Sequence, residues 1–182
     1  MSVLQLTKHL ARPSSQGCPT EILIRSYRGE EDIQPWLALR RAAFAKERLG
    51  VRDWTQADFE AEFLSRWWWR PEHMWLAETG LPTRTKNSER GEFSPFPALI
   101  GTVTLALRGE IPAAVPVIHW LAVHPAWRRR GVGSALMAKL ESTAWNLHYR
   151  QIWLETHDAW AEATVFYARL GYKPVSGTTR SS

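Results

Sequence analysis

Residues 121–134 read Leu-Ala-Val-His-Pro-Ala-Trp-Arg-Arg-Arg-Gly-Val-Gly-Ser, and this stretch decides the fold. Upstream, Val115 to Val123 (VPVIHWLAV) is an apolar run that reads as a strand, with Pro116 near its start, where a missing N–H is tolerable. Downstream, Val132, Leu136, Leu140, Ala144 and Leu147 form one stripe at helical spacing, which predicts a helix to about His148. Gly131 and Gly133 let backbone N–H groups face a single concavity, and the helix N-terminus adds its partial positive charge. Arg128, Arg129 and Arg130 crowd cations onto the same point, where they are unfavourable until an anion offsets them. The turn therefore reads as an anion seat, with a plain solvated basic turn as the alternative.

Working outward, Glu21 to Tyr27 alternates as a strand, and Ile33, Leu37, Arg40 or Arg41, and Phe44 mark a helix over about 30–46. A second helix starts after Thr55, a suitable N-cap, and passes Phe59 and Phe63 to Trp67, Trp68 and Trp69 before Pro71 ends it. His73 to Glu78 and Ala98 to Leu107 are strand-like, and they predict a long hairpin with a loop insertion at about 79–97. After the central helix come a short strand, Gln151 to Glu155, and a helix from Trp160 to Leu170. Gly171 caps that helix, and Tyr172 to Val175 read as an edge strand. Residues 1–20 and 176–182 read as a flexible arm and tail around one domain over 21–175. The order of elements gives an α/β (α+β) fold that mixes antiparallel hairpins with a strand, helix, strand crossover.

With 182 residues, 45% of them hydrophobic, the chain has enough apolar material for a core. No run has signal-peptide or membrane-spanning length, so a soluble, cytoplasmic protein without membrane contact is expected. Cys18 is the only cysteine, so no internal disulfide and no Cys-based metal site is expected. The net charge of +5 favours anionic partners. Eleven tryptophans are many for this length, and they read chiefly as core or groove walls.

Three phosphate-binding designs compete for the Arg/Gly turn. A P-loop needs Gly-Lys-Ser/Thr with four residues between its glycines, which this turn lacks. A dinucleotide turn needs a third glycine where Leu136 stands, and needs the first directly after the strand. The third pattern, Arg/Gln-x-x-Gly-x-Gly/Ala, is met by Arg128, Gly131 and Gly133. Together with Leu121 to Pro125 upstream, and with Phe166-Tyr167 and Leu170-Gly171-Tyr172 downstream, it resembles the GNAT superfamily of N-acetyltransferases. The resemblance covers about residues 21–175. It implies a GNAT-like mixed central sheet with a splayed strand and helices on both faces. The implied activity is acetyl transfer from acetyl-CoA, as co-substrate, to a primary amine, without a metal.

The resemblance also assigns roles. Pantetheine would lie along the backbone of Leu121, Ala122 and Val123, with the Val123 amide polarising the thioester. Amides of Arg129, Arg130, Gly131, Val132, Gly133 and Ser134 would hold the pyrophosphate, and Arg128, Arg129 or Arg130 the 3′-phosphate. Tyr167 would give a proton to the leaving thiolate. For the base, many relatives place a Glu where Val117 stands here. His119, placed by strand alternation on the face of Leu121 and Val123, lies in a segment similar to the strand of arylalkylamine acetyltransferases. Glu78 and Glu155 are further candidates, each alternatively a rim carboxylate or ion-pair partner. Trp160 replaces the Asn that relatives use to contact pantetheine, and Phe166 packs on the cofactor or in the core. The acceptor, a small-molecule amine or a peptide N-terminus, would meet the region of Trp54 to Trp75, where Trp67 to Trp69 offer a wall or cation–π contact. The sequence leaves a homodimer open. Two other classes compete: a non-catalytic acyl-CoA-binding sensor, and a basic nucleic-acid-binding module, whose arginines would form a stripe instead of one turn.

Overall fold

A computed structural model describes residues 3–12, 19–45, 52–84, 93–158 and 160–175. In chain order the strands are β1 (Val3–His9), β2 (Ile22–Ser26), β3 (Met74–Arg84), β4 (Phe93–Arg108), β5 (Val115–Val123), β6 (Gln151–His157) and β7 (Lys173–Pro174). The helices are α1 (Ile33–Phe44), α2 (Gln56–Phe59), α3 (Val132–Asn146) and α4 (Ala161–Arg169). The strands form a mixed sheet in the order β2-β3-β4-β5-β6-β1-β7, antiparallel at β2/β3, β3/β4, β1/β6 and β1/β7 and parallel at β5/β6. Residues cluster into two compact units, the larger over 16–104 and 120–137, the smaller over 1–15, 105–119 and 138–182. The sequence reading had one domain; here β4, β5 and α3 each run through both units.

In the larger unit, Pro35 falls in the first turn of α1, where a helix tolerates it. The helix buries Ile33, Trp36, Leu37, Leu39, Arg40 and Ala43. Thr55 caps α2 as expected: its hydroxyl accepts from the Asp58 amide while the Asp58 carboxylate accepts from the Thr55 amide. The chain then continues through a wider, π-type turn at Glu60–Leu64. These elements pack an aromatic core of Tyr27, Trp36, Phe59 and Phe63 on Met74 and Leu76 of β3. Trp36 meets Phe59 and Phe63 edge-on at 5.1 and 5.2 Å, and its indole N–H donates to the Thr102 hydroxyl at 3.2 Å. Trp68 and Trp69 pack against this core and Trp67 is exposed, so most of the tryptophan run serves helix packing.

In the smaller unit, β1 lies between β6 and β7, with Leu6 opposite both Leu154 and Pro174. Residues 3–9 are thus an ordered strand where the sequence reading had a flexible arm. Leu4 and Leu6 alternate with Gln5 and Thr7, but the partners that stabilise this short strand lie some 150 residues away in β6. The proposed insertion is also partly strand, since β3 extends to Arg84 and β4 begins at Phe93. Residues 85–92, Cys18 and the tail at 176–182 lie outside the described residues.

Candidate active site

The Arg/Gly turn begins where β5 ends. The His124 amide donates to the Ile100 carbonyl at 2.8 Å, which ties the end of β5 to β4. His124 also caps a short turn at Pro125–Trp127, its Nδ1 accepting from the Ala126 amide at 3.2 Å. Burial and the adjacent Arg128 charge lower its pKa, which keeps the imidazole neutral for that acceptor role. Arg129 (φ 61°) and Gly131 (φ 82°) then take left-handed conformations that swing the chain into α3. The first helical bond runs from the Ala135 amide to the Gly131 carbonyl at 2.9 Å. The amides of Val132, Gly133 and Ser134 thus carry no intrahelical acceptor, a donor cradle of the kind that can seat an anion.

Gly101 of β4 sets the position of this cradle. A Cβ there would stand 2.8 Å from Val132 Cγ1 and 2.9 Å from Leu136 Cδ1, so the missing side chain lets the first turn of α3 sit directly on the strand. The Val132 and Ala122 side chains are buried in the core, which leaves their backbones as the groups able to meet a ligand.

The three arginines diverge. Arg128, expected among the phosphate ligands, turns back: its Nη2 donates to the Ala43 carbonyl at the end of α1 at 2.7 Å, and its Nε to the Val123 carbonyl at 3.4 Å. It straps the turn to α1, so its guanidinium is already committed to backbone oxygens. Arg129 and Arg130 are exposed, and the Arg130 guanidinium lies 4.9 Å above the Trp127 ring. These two carry charge to the outer side of the turn.

The strand β5 departs from regular alternation. Its parallel register with β6 pairs Val117 with Trp153, and further along Trp120 adopts φ 52°. A bulky residue in the left-handed region breaks the two-residue period. Alternation therefore no longer puts His119 on the face of Leu121 and Val123, contrary to the sequence reading. His119 is half-buried and Val117 is buried.

Trp120 anchors a set of residues that the sequence reading did not assemble. Its ring stands 4.8 Å from Trp54, 5.9 Å from Phe44 and 6.1 Å from Trp36, and its indole N–H donates to Glu62 Oε1 at 3.1 Å. The buried Arg40 guanidinium stacks 4.2 Å from the Trp54 ring and 5.0 Å from the Trp120 ring, and Nη1 donates to the Arg52 carbonyl at 3.0 Å. Burial lowers the Arg40 pKa, opposed by the field of nearby carboxylates, Asp53 foremost. One signal was available in the sequence, since Arg40 interrupts an otherwise apolar helical stripe.

The carboxylates considered as bases are ion-paired. Glu78 is buried, and its Oε1 accepts from Arg25 Nη2 at 2.6 Å and Nε at 2.9 Å, while the same guanidinium grips Asp32 at 2.6 and 2.8 Å. Burial raises the Asp32 pKa, but the Arg25 and Arg28 contacts outweigh it and the net shift is downward. Glu155 is bridged by Arg108 at 2.5 and 3.1 Å and also accepts from Gln5 at 3.0 Å. Both fit the ion-pair alternative.

In the smaller unit, Tyr167 of α4 is buried, its ring 5.5 Å from Phe166 and 5.8 Å from Tyr172. Desolvation raises its pKa well above the usual tyrosine value, so its proton is held firmly. The Tyr172 hydroxyl donates to Glu141 Oε1 at 2.8 Å, and Lys8 Nζ reaches Glu141 Oε2 at 2.7 Å. Trp160 is the N-cap of α4 and packs edge-on to His157 at 5.3 Å. Among the described residues no group of His, Cys, Asp and Glu could hold a metal, and no helix is long and apolar enough to cross a membrane.

The model of the acetyltransferase (GNAT) family matches residues 37–172. A mycothiol acetyltransferase of Mycobacterium marinum is 31% identical over 157 residues, covering 85% of this chain and 46% of that protein. A second, from Mycobacterium ulcerans, is 32% identical over 138 residues, covering 74% of this chain and 39% of its own. The chain thus spans about half the length of these curated relatives or less. Among solved structures, a GCN5-related N-acetyltransferase from Sphaerobacter thermophilus has the same fold, with a TM-score of 0.68 at 18% identity over 96% of this chain and 48% of that chain. So does AAC(6')-Iy in complex with a CoA-containing bisubstrate analogue, with a TM-score of 0.59 at 16% identity over 90% of this chain and 98% of its own.

Proposed function

Because the chain belongs to the acetyltransferase (GNAT) family, we propose that it transfers an acetyl group from acetyl-CoA to a primary amine on a small molecule or a peptide N-terminus. The observation that carries this reading is the amide cradle at Val132, Gly133 and Ser134, held against β4 by the bare Gly101 and flanked by the exposed Arg129 and Arg130. Its donor set suits a pyrophosphate, which needs several N–H groups and offsetting positive charge.

In this reading the backbones of Leu121 and Val123 pair with the pantetheine arm, and acetyl-CoA supplies the activated acyl carbon. The Val123 amide stabilises the oxyanion that forms when the amine nitrogen bonds to that carbon. A base takes the amine proton, a role for which His119 stands on its imidazole chemistry and not on strand alternation, and the C–S bond breaks as Tyr167 passes its proton to the sulfur. A buried tyrosine with a raised pKa stays protonated at neutral pH, as a donor must. Glu78 and Glu155 act as ion-pair partners and not as bases.

Buried, apolar Val117 at the position of the family's Glu favours a second reading, an acyl-CoA sensor without turnover. The nucleic-acid reading loses ground because Arg25, Arg41, Arg52, Arg66 and Arg108 are paired with carboxylates and do not form a free basic stripe. The deciding experiment is an acetyl-CoA consumption screen across small amines, amino acids and peptide N-termini. The mycobacterial relatives named for mycothiol put small-molecule acceptors first in that screen. Turnover with an amine supports the enzyme. Tight CoA binding without turnover of any acceptor supports the sensor.

A further inference from the structure

We propose that Trp120 is a positioning residue for the cofactor strand: Glu62, Trp54 and Arg40 clamp its indole, and the clamp holds the left-handed backbone that sets the direction of Leu121, Ala122 and Val123. The inference rests on the acetyltransferase reading above, in which those three residues line the pantetheine arm.

The torsions of residue 120 fix how the peptide groups after it are turned relative to those before it. In an extended strand, Leu121 to Val123 would continue the alternation of residues 115–119, and φ 52° at Trp120 resets it. Downstream the segment has a second fixed point, since the His124 amide donates to the Ile100 carbonyl at 2.8 Å. Between these two points the Ala122 side chain is buried. The backbone of 121–123 is thus held at both ends and in the middle. Of these three holds, Trp120 is the one that works against its own conformational preference.

A side chain with a Cβ disfavours the left-handed region by ~5- to 30-fold in population. Such a conformation persists where the surroundings over-determine it. Here the indole N–H donates to Glu62 Oε1 at 3.1 Å, a bond strengthened by the carboxylate charge. The ring packs edge-on against Trp54 at 4.8 Å, Phe44 at 5.9 Å and Trp36 at 6.1 Å. The Arg40 guanidinium lies 5.0 Å from it and 4.2 Å from Trp54, and is fixed in turn by its bond to the Arg52 carbonyl at 3.0 Å. Rotating residue 120 back to an extended conformation, with the strand on either side in place, would withdraw the indole from this set. The competing role for Trp120 is packing alone, with its backbone conformation incidental.

The test compares Trp120→Ala with Trp120→Gly in the full chain, by calorimetric titration with CoA and by thermal melting. Both variants lose the same side-chain contacts, and Tm falls in both. Glycine enters the left-handed region freely, whereas alanine does not. The expected result is that Trp120→Ala binds CoA about fivefold or more weakly than Trp120→Gly, the reverse of the usual order of alanine and glycine in a strand. Equal CoA affinities, or a tighter-binding alanine variant, overturn the proposal. Should neither variant fold, Glu62→Leu, which has no acceptor for the indole, is set against Glu62→Gln, which retains one. A severalfold weaker affinity for CoA in Glu62→Leu than in Glu62→Gln is then expected, and equal affinities overturn the proposal. A wild type that does not bind CoA defeats the acetyltransferase reading instead, and the clamp is judged by the backbone carbon shifts of residue 120. Left-handed shifts in the wild type that become extended in Glu62→Leu support the clamp, and the same shifts in both overturn it.

Discussion

Adding a single methyl group at Gly101 should damage cofactor binding without touching any group that meets the cofactor. In Gly101→Ala the new Cβ stands 2.8 Å from Val132 Cγ1 and 2.9 Å from Leu136 Cδ1, against ordinary contact from 3.4 Å upward. The Leu136 methyl can rotate away. Val132 is β-branched, 1% exposed and helical, so its rotamer is fixed and the first turn of α3 must retreat by about 0.6 Å. Overpacking of this kind costs ~1–3 kcal/mol, which lowers Tm by roughly 2–12 °C for a chain of this size. The same retreat stretches amide-to-phosphate hydrogen bonds from about 2.9 Å to about 3.5 Å, the edge of useful geometry. Losing one such bond to a charged acceptor is worth ~1.5–3 kcal/mol, hence a roughly 10- to 100-fold weaker Kd for CoA by calorimetry. Val132→Ala deletes the clashing methyl, so the double variant should recover most of the lost affinity. Wild-type CoA affinity in Gly101→Ala, or a loss that Val132→Ala leaves untouched, would refute the account of how β4 positions the cradle.

Three further predictions follow from single side chains. Tyr167→Phe should lower kcat by ~100-fold or more with CoA affinity unchanged; undiminished turnover removes Tyr167 from the mechanism. Arg128→Ala should lower Tm, because the Ala43 carbonyl loses a charged donor worth ~1.5–3 kcal/mol. Arg129→Ala and Arg130→Ala should leave Tm alone, weaken CoA binding about two- to fivefold each and flatten its salt dependence. Equal effects of all three on CoA and none on Tm would return Arg128 to the ligand set. Finally, burial raises the pKa of Tyr167, burial and then Glu141 raise that of Tyr172, and burial and then Asp32 raise Tyr27 to about 12. Above pH about 10 the unfolded chain releases tyrosine protons that the folded chain keeps, so stability present below that pH falls as pH rises toward 12. Denaturant midpoints that stay flat over this window contradict the burial of these hydroxyls.

The elements legible in the sequence are those whose signal is local. The stripe from Val132 to Leu147 gave α3, Thr55 gave the start of α2, and Gly171 marked the end of α4. What the sequence hid depends on distant partners. β1 was masked by Pro13, Gly17 and Pro19, and its short alternation becomes a strand because β6 pairs with it. Arg128 looked like a phosphate ligand because the carbonyl that claims it, on Ala43, lies 85 residues back in the chain. The left-handed turn at Trp120 cannot be read from alternation, since the period assumes that such breaks do not occur. His119 was assigned a face on that assumption.

The same distinction divides the candidate site by chemistry. Its proposed cofactor end consists of main-chain amides at the start of a helix, a left-handed glycine, and a second glycine that allows close approach. Such a cradle requires particular residues at fixed spacing, so it leaves a motif in one short stretch. The aromatic cluster around Trp120 depends on side chains from α1, the segment around Trp54 to Glu62, and Trp120 itself. None of these needs a fixed sequence interval from the others, and each residue type has an ordinary packing role. That is why the sequence alone could suggest a phosphate seat at 128–134, while the contact from the indole N–H of Trp120 to Glu62 exists only in the fold.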